Sequence, residues 1–434
     1  MTSDTPATEP APNEAYVWIW LPGETDPVVA GRIFRDDGDD AYTFTYGRSY
    51  LDRHDAISLY TPELPLRAGN QDPPQGLTLP GALRDGGPDA WGRRVIVNRR
   101  LGTKRAAIDI DALDDLTYFL ESGSDRIGAL DFQRSATRYE PRDAQAATLD
   151  DLMGAADMVQ QGVPLPPALD RALFHGSSIG GARPKALIDQ AGRKLIAKFP
   201  STTDLFNLVK GEYVAMRLAE TVGLSVAPVR LIKTSGRDVL LIERFDRVRS
   251  NAGWTRRAMV SALTLFGLDE MMGHYASYED LCGIIRDRFT EPRKTLRELF
   301  GRLVLNILTG NTDDHARNHA AFWDGQSLSL TPAYDICPQG RTGNEAGQAM
   351  LIMGNDRLSR LATCLRAAPN FLLNETDAAA IIEAQVMTIR DAWPRLREEA
   401  ELSPIDQAAM WGRQILNPFA FEGLPTRLAH LAPR

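Results

Sequence analysis

The sequence predicts an α+β protein with a β-rich N-terminal subdomain, then a second small β-rich lobe and a large helical lobe. Three observations carry that expectation. Short apolar runs of strand character crowd the start of the chain: AYVWIWL (Ala15–Leu21), VVAGRIF (Val28–Phe34) and AYTFTY (Ala41–Tyr46). A second strand-rich block opens at residue 171, in the order turn, strand, turn, strand, helix, strand, turn, strand. From about residue 256 the pattern becomes helical, interrupted by one β-hairpin at 319–331.

Residues 1–14 read as a short disordered tail, acidic and rich in Pro and Thr, without the basic start of a signal peptide. DDGDD supplies the turn before the third strand. GGPDAWGRRVIVNRRLG reads as a helix entered through Pro88 in its first turn. DRIGALDF (Asp125–Phe132) reads as a closing strand, so one subdomain is expected at 15–135. Residues 136–170 form a connector. There Thr148 caps the helix LDDLMGAADMVQQ, whose first turn is acidic, and VPLPPALD follows as a stiff link. The second lobe pair is expected at 171–255 and 256–434, the latter an all-helical C-lobe apart from its hairpin.

A chain of 434 residues holds two or three compact units. Apolar residues at 43% and charged residues at 24% exclude wholesale disorder, and no run of 18 apolar residues offers a membrane span. A net charge of −8 gives no broad basic field for non-specific nucleic-acid binding. Three cysteines (Cys282, Cys337, Cys364) make neither a CxxC pair nor an even framework, which suits a reducing cytoplasm and argues against structural zinc. Seven lysines stand against 42 arginines. A genome-wide bias accounts for the ratio, yet arginine cannot replace a compact ammonium everywhere. Lys185, Lys194 and Lys198 fall within fourteen residues.

The most informative segment is GNTDDHARNHAAFWDGQSLSLTPAYDI (Gly310–Ile336). Asp313 precedes Asn318 by five residues, a hairpin turning at Asp324-Gly325 follows, and then comes Asp335. Phosphoryl transfer needs a carboxylate to orient the attacking hydroxyl and accept its proton. It also needs an amide oxygen and a second carboxylate to hold Mg²⁺ against the phosphates. Kinases supply these groups in this order. Asp313 is chosen as base over its neighbour Asp314 because it has the five-residue spacing. His315 is a candidate phosphate donor, with a hydrogen-bonded structural histidine as the alternative. His315 and His319 are four apart, but alanine at 316 and the lack of a third ligand reject a zinc site.

Three further segments fit the same chemistry. Gly176-Ser177-Ser178-Ile179-Gly180-Gly181-Ala182-Arg183-Pro184-Lys185 is a small-residue loop of the kind whose N–H groups cradle phosphates, though not a Walker A loop. Lys198 lies in the apolar strand LIAKFP and needs an anion. Glu212 is the candidate, because positions 208, 212, 215, 219 and 222 share one otherwise apolar face of a helix from about Leu205. A snorkelling lysine and a dipole-placed glutamate are the alternative. VLLIERFDR (Val239–Arg247) is a buried strand ending in polar residues, where backbone groups can read an adenine edge.

With SIGGARPKA, IAKFP, GEYVAMRLAETVGL, ERFDR, NTDDHARNH and LTPAYDI in hand, nearly the whole chain resembles the HipA family of bacterial toxin kinases. The resemblance implies a two-lobed protein-kinase-like fold with an added N-terminal subdomain. It implies a serine/threonine protein kinase using ATP and Mg²⁺. The family's best-known members phosphorylate an aminoacyl-tRNA synthetase, typically the glutamyl enzyme, and so arrest translation and growth. It implies a helix-turn-helix antitoxin (HipB-like) as partner, operator DNA reached only through that antitoxin, and a cytoplasmic location. By motif, Asp313 resembles the catalytic base, Asn318 and Asp335 the metal ligands, and Lys198 the ATP-phosphate lysine. Glu243 and Phe245 resemble the adenine hinge, and Tyr334 a residue lining the nucleotide pocket. Ser178 matches the autophosphorylated serine, with Ser177 the alternative acceptor. Gly180 and Gly181 complete the phosphate loop. The chain departs from the family at Arg183-Pro184-Lys185, where the pattern is Gln-Glu-Lys, and at Asp314, where glycine is common. Two readings compete: a small-molecule kinase on the same fold, and a non-catalytic pseudokinase corepressor working with the antitoxin. The intact Asp313, Asn318, Asp335 and Lys198 set speaks against the latter.

Overall fold

The computed structural model describes residues 12–36, 38–101, 110, 113–142, 147–173, 181–201, 204, 206–341 and 343–433. The chain divides into two units, Met1–Ala182 and Arg183–Arg434. In the first, β1 (Glu14–Ile19), β2 (Val28–Phe34), β3 (Thr43–Tyr46), β4 (Asn70–Gln71) and β5 (Leu130–Gln133) form an antiparallel sheet in the order β4-β3-β2-β1-β5. Between β3 and β5 lie α1 (Arg48–Leu51), α2 (Gly81–Arg84), α3 (Ala90–Leu101) and α4 (Asp115–Glu121). Alternate strand residues Val17, Ile33, Phe44 and Phe132 share one core with Phe119 of α4. The Phe119 and Phe132 rings stack at 3.9 Å.

Three local expectations need correction here. Pro88 stands outside α3. Asp89 caps it instead, its Oδ1 accepting from the Trp91 and Gly92 N–H groups at 3.1 and 3.2 Å. One carboxylate satisfies two of the four orphan donors and suits the dipole, which a proline cannot do. The strand expected over Asp125–Phe132 begins only at Leu130, after a turn at Gly128 (φ +75°). Arg126 is drawn into the core there, its Nε 2.7 Å from Asp131 Oδ1. VPLPPALD is not wholly a link, because Pro167 opens the helix α6 (Pro167–Leu173), where its fixed φ is an asset. The preceding helix α5 (Leu149–Gln160) carries the expected Thr148 cap, completed as a capping box by Asp151.

In the second unit β6 (Lys185–Gln190), β7 (Arg193–Lys198), β8 (Val229–Thr234) and β9 (Arg237–Glu243) form an antiparallel sheet in the order β6-β7-β9-β8. The helix α7 (Leu208–Thr221) joins β7 to β8. It starts later than Leu205 because Asn207 caps it, accepting from the Lys210 N–H at 3.0 Å. A hairpin that the sequence did not suggest follows, β10 (Arg247–Ser250) with β11 (Gly253–Arg256), and then β12 (Ala258–Ser261) and α8 (Ala262–Leu265).

The helical part contains α9 (Tyr278–Arg288), α10 (Pro292–Thr309), α11 (Leu361–Ala367), α12 (Glu375–Glu399) and α13 (Pro404–Met410). Buried Leu299, Leu303 and Ile307 of α10, with Ile382, Val386 and Ile389 of α12, belong to its core. It is not all-helical beyond the hairpin. The hairpin strands β13 (Ala320–Trp323) and β14 (Leu328–Leu330) gain β12 as a third strand, with Ser261 opposite Ala320. The hairpin turn is also displaced by one residue. Asp324 Oδ1 accepts from the Gln326 and Ser327 N–H groups, so Gly325, with φ +99°, and Gln326 are central.

Candidate active site

The site is assembled from the ends of β7 and β9, from α7, and from the loops on either side of the β13–β14 hairpin. Pro292 starts α10, and Gly310 ends it in a left-handed turn (φ +69°). A Cβ on Gly310 would lie 2.7 Å from the Gln414 carbonyl oxygen, so only glycine fits. The Asn311 N–H closes the cap on the Asn306 carbonyl at 2.8 Å. This cap launches the loop that holds Asp313 and Asn318.

Lys198 is 8% exposed and Glu212 3% exposed. The lysine Nζ lies 2.6 Å from Glu212 Oε1 and also hydrogen-bonds Asp335 Oδ1. The snorkelling alternative is thereby set aside. Burial opposes the lysine's charge, but Asp335 and Glu212 outweigh it and hold the ammonium above its ordinary range. The two carboxylates divide unequally. Burial would raise Asp335, yet Lys198, Lys185 and His315 pull it down to about 2. Burial raises Glu212, with Lys198 opposing and Asp335 adding to the rise. Asp335 also adopts φ +59°, a left-handed conformation that costs a non-glycine residue energy and occurs most often where function demands it.

Asp313 is exposed, whereas Asp314 is buried against His319 and Tyr278. Partial desolvation raises the Asp313 carboxyl, His315 lowers it, and Asp335 and Asp314 raise it further. Asn318 Nδ2 donates to the Asp313 carbonyl at 3.1 Å, which leaves the amide oxygen uncommitted. His315 is half-buried, and its Nδ1 has no partner among the described residues. These atoms fit Mg²⁺ and nucleotide phosphates in kind: a hard carboxylate, a free amide oxygen, a buried ammonium and an orphaned ring nitrogen. Among the described residues no three His, Cys, Asp or Glu side chains cluster as an all-protein metal site, and no helix is long and apolar enough to cross a membrane. The three cysteines are free and buried.

Phe245 and Tyr334 come together, their ring centres 5.7 Å apart, and Phe322 meets Phe245 edge-on at 5.9 Å. The Tyr334 hydroxyl donates to the Arg317 carbonyl at 2.7 Å, tying the ring to the Asp313 loop. The Phe245 N–H is outside the backbone bonds of β9 and β10 and has no partner among the described residues. The Glu243 side chain turns to Arg193 at 3.2 Å, so what it offers a nucleotide is backbone. In the expected phosphate loop, Gly181 has φ +107°, and residues 176–180, with Ser177, Ser178 and Gly180 among them, lie outside the described residues. Arg183 pairs with Asp204.

Sequence reasoning gave two groups no place in the site. Lys185 is 1% exposed and stands directly opposite Lys198 in the β6–β7 ladder, so both side chains share a face. Lysine scarcity was the available signal. Arg244 forks onto Asp246 at 3.0 and 2.8 Å, with Arg247 on the same carboxylate, a buried triad that fixes the backbone just past Phe245. The run ERFDR showed the charges without showing that they were buried.

Comparison with known proteins gives matches to domains, relatives and a solved fold. The HipA N-terminal domain matches residues 20–133, and the HipA-like C-terminal domain matches residues 177–393. The chain is 27% identical over 346 residues to "Putative kinase Y4mE" of Sinorhizobium fredii, covering 73% of this chain and 76% of that protein. It is 25% identical over 190 residues to the serine/threonine-protein kinase toxin HipA of Shewanella oneidensis, covering 37% of this chain and 42% of the toxin. The solved Shewanella HipA in complex with HipB and operator DNA superposes with a TM-score of 0.62 at 18% identity, covering 88% of this chain and 91% of that one. The chain belongs to the HipA-like kinase family.

Proposed function

We propose that the protein is an ATP- and Mg²⁺-dependent serine/threonine protein kinase of HipA type. The observation that carries this reading is the shared ion cluster of Lys198, Glu212 and Asp335 in the same unit as the Asp313–Asn318 loop. Asp313 orients the acceptor hydroxyl and takes its proton, and its raised carboxyl is the more effective base for it. Lys198, held by Glu212, binds the α/β-phosphates. Asn318 and Asp335 are the oxygen ligands for Mg²⁺, which neutralises charge on the phosphates. The Glu243 carbonyl and the Phe245 N–H read the adenine edge, between the rings of Phe245 and Tyr334. His315 donates toward the terminal phosphate, and Gly180 and Gly181 are assigned to the phosphate loop.

The acceptor is a protein, and an aminoacyl-tRNA synthetase such as the glutamyl enzyme is the substrate to test first. A HipB-like helix-turn-helix antitoxin is the expected partner, as in the solved Shewanella complex with operator DNA. The cytoplasm is the expected compartment. Ser178 is the expected autophosphorylation site. A phosphate there would add about −1.5 to −2 charges where ATP phosphates belong and switch the enzyme off. Arg183 is engaged by Asp204, so capture of that phosphate falls to other cations.

The test is transfer of labelled γ-phosphate from ATP into host lysate and into the protein itself, followed by identification of the labelled residues. Wild-type protein should label a discrete protein and Ser178, and Asp313→Asn should label neither while still binding ATP. Transfer undiminished in Asp313→Asn would reject the base assignment. Absence of any transfer by wild-type protein freed of antitoxin would favour a pseudokinase.

A further inference from the structure

Asp314 is left out of the phosphoryl-transfer reading, yet it is 1% exposed and densely bonded. Its Oδ1 lies 2.9 Å from His319 Nε2, and since a carboxylate only accepts, that ring nitrogen carries the proton. Its Oδ2 accepts from the Tyr278 hydroxyl, which is also 3.3 Å from His319 Nε2. Asn306 of α10 adds to what keeps the same carboxylate ionised. Burial would raise Asp314, but His319, Tyr278 and Asn306 together hold it below the usual carboxylate range.

The placement in sequence gives this cluster its meaning. Asp314 follows Asp313, and His319 follows Asn318. The Asp314–His319 bond therefore closes the loop on its buried side, one residue beyond each of the two groups that the proposed reaction uses. Tyr278 anchors the closure to α9. The His319 carbonyl in turn accepts from the Ala262 N–H at 2.8 Å, beside the β12–β13 pairing. Stability alone does not account for a buried charge here, because well-packed apolar residues commonly serve as well or better.

We propose that Asp314, His319 and Tyr278 form a clamp that sets the separation between Asp313 and Asn318, with Asp314 a positioning residue that touches neither nucleotide nor acceptor. The proposal rests on the kinase reading for its catalytic consequence, though not for its structural one. A misplacement of about 1 Å at such a site costs about 100-fold in rate.

The experiment compares wild type, Asp314→Asn, Tyr278→Phe and the reversed pair Asp314→Asn/His319→Asp. The first readout is amide hydrogen exchange over residues 311–319, which does not depend on activity. Asp314→Asn should raise exchange there about tenfold and leave the β6–β9 sheet unchanged, and Tyr278→Phe should do so to a smaller degree. The second readout is steady-state kinetics. Asp314→Asn should lower kcat about 100-fold with KM for ATP within about twofold. The reversed pair restores an N–H to carboxylate bond and should regain much of that kcat. Wild-type exchange over 311–319 in Asp314→Asn overturns the clamp whatever the kinetics. Should Asp314→Asn fail to fold, unchanged exchange and kcat in Tyr278→Phe overturn it. Wild-type protein that transfers no phosphate overturns the kinase reading and leaves the exchange result to decide the clamp.

Discussion

Lys198→Met keeps the length of the stem and removes the ammonium shared by Glu212 and Asp335. Breaking a buried pair from one side costs about 3–5 kcal/mol, because the remaining charge is stranded. Glu212, 3% exposed, bears most of that cost. Asp335 is half-exposed and regains water, so its share is small. Glu212 can escape by taking up a proton. Burial already raises its carboxyl, and loss of Lys198 raises it further. The unfolded chain ionises this group near pH 4.3, and the folded variant does so later. Between those values the unfolded state binds fewer protons, so the stability of the variant falls as pH rises. The loss should be about 1 kcal/mol at pH 5 and about 3–5 kcal/mol at pH 8. Urea unfolding at both pH values, for wild type, Lys198→Met, Glu212→Gln and the double variant, measures it. The double variant should recover more than half of the pH 8 loss. Equal losses below about 1 kcal/mol at both pH values would refute the reasoning, because Glu212 would then be solvated or paired elsewhere.

Gly310→Ala should destabilise the second unit by about 2–5 kcal/mol in urea unfolding, combining a left-handed alanine with a Cβ pressed on the Gln414 carbonyl. Asp335→Gly relieves the left-handed backbone but takes one of the two carboxylates from Lys198, so it should be less stable than wild type yet still fold, with Glu212 keeping the lysine paired. In a nucleotide titration its ATP affinity should no longer rise on adding Mg²⁺, and a retained Mg²⁺ response would remove Asp335 from the metal site. Burial pushes the Glu63 carboxyl up to about 7 even though the Ala82 and Gly81 N–H groups donate to it. A raised acid stabilises fully below its unfolded value near 4.3 and loses that contribution as pH rises through 7. Stability should therefore fall by about 1–3 kcal/mol between pH 5 and 8, and Glu63→Gln should flatten that slope in thermal unfolding across the range.

Local and strongly patterned features were legible in the sequence. Thr148 announced its helix, strands β1, β2, β3, β7 and β9 followed apolar runs, and Lys198 in an apolar strand called for an anion that Glu212 supplies. Choices between adjacent signals failed where side-chain bonding decided them. Asp89 displaced Pro88 because its carboxylate satisfies two N–H groups, and Asp324 shifted the hairpin turn by bonding its own backbone. Other features had no local signal. The left-handed backbone of Asp335 is set by its surroundings, the pairing of Lys185 with Lys198 is a matter of register, and the Asp314 cluster joins positions 278, 314 and 319. The hairpin β10–β11 does carry turn residues at Ser250, Asn251 and Gly253, but its short arginine-rich strands are neither strongly apolar nor regularly alternating.

Composition carries a further argument about the site. Lysine is seldom buried unless paired, yet Lys185, Lys198 and Lys210 are 1, 8 and 7% exposed, three of the six described lysines. Arginine outnumbers lysine 42 to seven in this chain, so drift alone would have placed arginine there. Lys198 must meet Glu212 from α7 and Asp335 from the loop after β14 with one nitrogen, and Lys210 reaches the Glu401 carbonyl at 2.6 Å and Asp238 at 3.8 Å in the same way. A planar guanidinium presents five donors in a fixed fork and matches one carboxylate well, whereas an ammonium turns its three donors to acceptors from different elements. Lys198 and Lys210 therefore stand where acceptors converge from several directions, and Lys198 pairs with the carboxylate that the proposed reaction assigns to the metal, whose charge Lys185 also supports.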